Sequence, residues 1–168
     1  MQPAAPPRRA SASDGGRATR TMGPVARLQT DDLGCWVLKT SAPPRALAPS
    51  WRPGESLVLR RCVRPSYRLG LMAPGQRCLL WLSGRVDPGV HAVGVLVAGP
   101  DAEPAVEVEL VLLRLPLARP SLAAASELSR AEVLRAPFGS NPSYLTPAQL
   151  AAVGRRLDAG TRRAAGWG

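Results

Sequence analysis

The sequence has no isoleucine, one phenylalanine, one histidine, and one lysine against twenty-one arginines. Its three cysteines, Cys35, Cys62 and Cys78, are far apart and form no C-x-x-C pair. With His91 as the single imidazole, the ligand set of a structural zinc site is lacking. An odd number of isolated cysteines in apolar contexts reads as small buried hydrophobes in a reducing compartment. No apolar run approaches the ~20 residues of a membrane span. The N-terminal arginines are followed by no hydrophobic segment, so no secretory signal is expected. A cytoplasmic protein follows, with no cofactor, since a Gly-rich phosphate loop and a dinucleotide fingerprint are also missing.

Ala, Pro, Gly and Arg dominate what is present, as in a GC-rich genome with strong codon bias. Any single arginine therefore carries little information. The net charge of +10 is uneven. Residues 1–27 hold a net +4 and residues 154–168 a net +3, leaving +3 for the body between them. Residues 1–27 are rich in Pro, Ala, Arg, Gly and Ser with almost nothing to bury, and read as a disordered basic tail. Residues 154–168 read as a second basic tail, and residues 28–153 as one domain.

Residues 74–94 organise that domain. Cys78-Leu-Leu-Trp81-Leu82 is an apolar run of strand length, ended by Ser83-Gly84. Asp87-Pro88-Gly89 supplies turn chemistry, and an apolar β-prone run resumes over residues 90–97. Gly94 within it leaves room for another backbone or a flat ligand. Further strands are expected over residues 34–40, 56–60 and 105–115, the last with Val106, Val108 and Leu110 alternating against Glu107 and Glu109. Residues 66–72 have the length of one helical turn. Ser129 and Glu132 have capping-box spacing for a short helix, and Thr146-Pro147-Ala148-Gln149 is a second helix start. The fold class is α+β, with about five strands and short helices in the connections.

Catalysis finds little support. Ser83, Asp87 and His91 are the residue types of a hydrolase triad, but they crowd one β-turn-β unit without a nucleophile elbow. A binding module is the better reading.

Five segments together resemble the EVE domain of the PUA-like superfamily: Cys35-Trp36-Val-Leu-Lys39, Cys62-Val-Arg-Pro-Ser-Tyr67-Arg68, Leu80-Trp81-Leu-Ser83-Gly84, Gly89-Val-His-Ala-Val-Gly94 and Asn141-Pro-Ser-Tyr-Leu-Thr146-Pro. The resemblance covers residues 33–153. It implies a curved β-barrel with a pocket for a single flipped, often modified, nucleobase of DNA or RNA, a property of bacterial sensors of modified nucleic acid. Two positions depart from the pattern: Arg61 and His91 stand where relatives more often carry an aromatic ring. On this reading Trp36, Tyr67 and Trp81 supply ring faces, and Lys39, Ser83, Gly84 and His91 border the base. Arg60, Arg61, Arg64 and Arg68 would track phosphates. The alternative is a small-ligand or protein-interaction module on the same barrel without base specificity.

Overall fold

A computed structural model describes residues 26–168. The tail expected over residues 1–27 therefore lies, apart from Ala26 and Arg27, outside the described residues. Six strands form one mixed sheet: β1 (Cys35–Thr40), β2 (Ser56–Cys62), β3 (Arg77–Leu82), β4 (Gly89–Ala98), β5 (Ala105–Ala118) and β6 (Ser143–Leu145). Their order is β2-β5-β4-β3-β1-β6. β1 and β3 run parallel and the other neighbours antiparallel. The sheet is open, with β2 and β6 at its edges, rather than closed as the expected barrel would be. The sixth strand is an addition to the five expected: β6 runs alongside β1, with Trp36 opposite Tyr144.

The middle strands are buried on both faces, which explains their continuous apolar runs. Trp36, Leu38, Cys78, Leu80, Ala92, Val108 and Leu110 lie in one core with Leu28, Trp51 and Met72. Cys35, Val37, Leu79, Trp81, Val93 and Val111 lie in the other, beneath the helices. These helices are short: α1 (Pro44–Leu47), α2 (Arg119–Ala123), α3 (Glu132–Arg135), α4 (Pro147–Gly154) and α5 (Ala159–Ala164). α4 begins as its sequence dictates. Thr146 accepts from the Gln149 amide, the Gln149 side chain accepts from the Thr146 amide, and Pro147 occupies the first turn. Residues 66–72 fold as a 3-10 turn over Tyr67–Leu71, with the Ser66 hydroxyl accepting from the Arg68 amide. The capping box expected at Ser129 does not form. α3 starts after Ala131 without a side-chain cap, and Ser129 Oγ donates to the Ser126 carbonyl instead.

Residues 154–168 are not a tail. Asp158 caps α5, and Trp167 is buried with its indole Nε1 donating to the Gly94 carbonyl at 2.8 Å. The same glycine admits the neighbouring strand, since a Cβ there would meet the Glu109 carbonyl oxygen at 1.8 Å. Its missing side chain thus serves backbone approach. Among the described residues no helix is long and apolar enough to cross a membrane.

Candidate functional site

Two cavities flank the ends of β1 and β3, and Ser41 and Ser83 line both. β1 and β3 are parallel neighbours, so their C-terminal ends finish side by side; the Ser83 amide continues the ladder by donating to the Thr40 carbonyl at 2.8 Å. The smaller cavity, about 260 Å³, is bordered by Lys39, Thr40, Ser41, Arg64, Ser83, Phe138 and Asn141, among others. Asn141 joins three segments: its Oδ1 accepts from the Lys39 amide at 3.1 Å, and its backbone carbonyl accepts from the Arg64 amide at 2.7 Å. The Lys39 ammonium donates to the carbonyls of Ala136 and Pro137, both at 3.3 Å, and so ties down the loop that carries Phe138. Burial lowers the Lys39 pKa; the Glu132 charge opposes this, while Arg64 and Arg68 add to it. Phe138, the only phenylalanine, is 95% exposed at the rim.

The larger cavity measures about 680 Å³ and opens between the β1–α1 connection, the β3–β4 hairpin and the C-terminal half of β5. Its floor includes Trp51, Leu82 and Leu112; Arg45, Arg85, Asp87, His91 and Arg114 stand around it. His91 occupies a bulge. Leu80 pairs with Ala92 and Trp81 with Val90, while on the other side Val90 pairs with Leu117 and Ala92 with Leu112. A bulge re-aims the residue it isolates; here the ring Nε2 lies 2.8 Å from the Asp87 carbonyl oxygen. His91 therefore engages backbone, not the carboxylate that a triad would require.

The candidate residues named from sequence are divided by this geometry. Lys39, Ser83 and Arg64 border the small cavity; Ser83, Gly84 and His91 border the large one. Trp36 and Trp81 border neither. They are buried in different cores, on opposite faces of the sheet, and cannot enclose one base between them. Trp36 is fully buried, with its Nε1 donating to Gln76 Oε1 at 2.7 Å. Tyr67 is part-exposed but occupied: its hydroxyl accepts from the Leu28 amide at 2.9 Å, and the Arg27 guanidinium sits 4.3 Å above its ring.

Among the four arginines, only Arg64 borders a cavity. Arg60 is paired with Asp101 and Glu103 on the sheet edge. Arg61 is half-buried, and burial lowers its pKa. Arg68 makes a two-pronged pair with Glu132 at 2.9 and 2.8 Å, donates to the Pro142 carbonyl, and lies over the Tyr144 ring. That pair is inside the structure. Burial pushes the Glu132 pKa up, but hydrogen bonds from Arg68 and Ser143 and the charges of Arg68 and Lys39 outweigh it, so the net shift is downward. Burial also raises the thiol pKa of Cys35 and Cys78, so neither is a ready nucleophile.

Sequence reasoning missed Thr40, Ser41, Phe138 and Asn141. Phe138 carried a usable signal, as a lone aromatic between Pro137 and Gly139 in a loop.

No family model and no curated protein matches the sequence. Solved structures do match. A Pseudomonas putida protein aligns at 18% identity over 73% of this chain and 99% of its own, with a TM-score of 0.55. A hypothetical protein from Leishmania major aligns at 17% identity over 76% of this chain and 96% of its own, at 0.54. At these identities the likeness is one of fold. Human THYN1, in complex with DNA containing 5-methylcytosine, aligns at 13% identity over 74% of this chain and 98% of its own. Its TM-score of 0.47 is too low for an argument to rest on it.

Proposed function

We propose that the six-stranded sheet is the PUA-like framework implied by the EVE resemblance, and that the chain is a non-enzymatic reader of a single flipped, modified nucleobase in DNA or RNA. The observation that carries this reading is the small cavity at the ends of β1 and β3. It combines a fixed polar wall (Lys39, Thr40, Ser41, Ser83 and Asn141) with an exposed aromatic ring at its mouth. A flipped base costs a few kcal/mol of lost stacking, which an aromatic face offsets by about 1–3 kcal/mol. The Ser41 and Ser83 hydroxyls, with the proton of the Lys39 ammonium not given to Ala136 or Pro137, then meet its hydrogen-bonding edge. Phe138, held by the Lys39 bonds to its loop, supplies the face that Trp36 and Trp81 cannot.

The test is a binding titration of the purified chain against matched oligonucleotides, single-stranded and duplex, with and without methylated cytosine or adenine. Preference for one modified base is expected, reduced in Phe138→Ala and in Ser83→Val. Equal affinity for every oligonucleotide would sink the reading and favour the small-ligand alternative.

A further inference from the structure

Of the arginines singled out by their clustering in sequence, Arg60 and Arg68 are committed to carboxylates, yet three arginines elsewhere are not. Arg45, Arg85 and Arg114 all border the larger cavity, from three separate elements: α1, the β3–β4 hairpin and β5. All three are exposed, and among the described residues none of them makes a side-chain hydrogen bond or ion pair. One carboxylate, Asp87, borders the same space, so fixed positive charge dominates it. The floor is apolar and partly aromatic, with Trp51, Leu82 and Leu112. At about 680 Å³ the space exceeds the 260 Å³ of its neighbour, and Ser41 and Ser83 form a wall common to both.

We infer that the larger cavity is a second nucleotide subsite: it holds the sugar and phosphate of the residue adjoining the flipped one, with Arg45, Arg85 and Arg114 on the phosphates. This rests on the base-reading proposal for the smaller cavity. The chemistry is that of guanidinium groups converging on a phosphodiester above an apolar bed. A strand that places one base in the small cavity continues over the Ser41–Ser83 wall into the larger one. The phosphate surface of the molecule is thereby moved from β2, where Arg60 faces Asp101 and Glu103, to the opposite end of the sheet's central strands.

The two proposals fail differently. The full chain is titrated with oligonucleotides of one, two, three and five nucleotides that carry the preferred base, at several salt concentrations. Extension on one side of the read base is expected to raise affinity about tenfold or more, with a logarithmic salt slope that steepens by about 0.7 for each phosphate neutralised on a single strand. In Arg45→Gln/Arg85→Gln/Arg114→Gln that gain should vanish and the slope should flatten by up to about 2, while the ratio between modified and unmodified strands stays as in the wild type. Arg85→Gln alone, on an exposed hairpin, serves if the triple variant is unfolded by circular dichroism, and should remove part of the gain.

If no strand shows a base preference but the gain with length and its loss in the variants persist, the base reading fails and the subsite stands. Unchanged affinity and salt slope in the folded arginine variants overturn the subsite. So does a free nucleoside monophosphate that binds the large cavity as tightly as the five-nucleotide strand, because the cavity is then a small-ligand site.

Discussion

Phe138 and Trp36 show how differently two aromatic residues are used. Phe138 is exposed at the rim of the small cavity, and its removal takes nothing from either core. Phe138→Ala should leave the urea midpoint unchanged and weaken binding of the preferred oligonucleotide by about 1–3 kcal/mol. Trp36→Ala should do the reverse. It empties a fully buried site and takes the indole donor from Gln76 Oε1, which keeps only the Ala73 amide, so a loss of about 3–5 kcal/mol in stability is expected. Measured on the fraction that remains folded, its affinity should match the wild type; a specific loss of affinity at unchanged stability would return Trp36 to the site. The sequence places both tryptophans in strands but does not show which way they face. That depends on register: β1 and β3 pair Trp36 with Cys78 and Lys39 with Trp81, which puts the two rings on opposite faces. No local pattern encodes this offset in a parallel pair buried on both sides.

At the scale of elements, one ion pair fastens three short pieces that have little cohesion of their own. Arg68 comes from the 3-10 turn, Glu132 from α3, and Ser143, whose hydroxyl donates to Glu132 at 2.6 Å, from β6. The side chains are 11% and 27% exposed, which makes this pair the most enclosed of the ion pairs among the described residues. Breaking it by Arg68→Met leaves a half-buried carboxylate short of its cation, at a cost of about 3 kcal/mol near neutral pH. The pH dependence has a definite sign. Glu132 is held below its ordinary value of 4.5, so its contribution is complete above that value and is lost as pH falls through the depressed one. The stability gap between wild type and Arg68→Met, measured by denaturant titration, should therefore be widest at neutral pH and close on acidification. A gap that persists unchanged in strong acid would mean the cost lies in packing against Tyr144 instead. The strands were legible because short apolar runs bounded by Pro and Gly have few other uses. β6 was not, since its residues, Ser143-Tyr144-Leu145, carry no periodicity and follow Pro142. Nor were the partners of Arg60 and Arg68, which lie 41 and 64 residues away.

The whole molecule depends on its last described residues more than their composition implies. Arginine, glycine and alanine gave the segment from 154 onward the look of a tail, and Trp167 was its one dissenting residue. That indole closes the helical core and satisfies the Gly94 carbonyl in the middle of β4. Trp167→Ala should lower stability by about 3–5 kcal/mol, read as a fall in Tm. Deletion of residues 155–168 should do at least as much. If the shortened chain melted with the full-length protein, Trp167 would be ornamental to the fold.

The covering of that core also has an order in time. Its floor is laid by β1, β3, β4 and β5, complete at Ala118, whereas its lid is drawn from Leu122 to Trp167. A chain emerging from the ribosome at about 5–20 residues per second thus holds a bare apolar surface for several seconds, roughly the time needed to make the stretch from 119 to 167. We expect nascent chains arrested before Trp167 to be cut by protease and bound by chaperones, and those released beyond it to resist both. Equal resistance on either side of that point would show that the lid closes without its final ring.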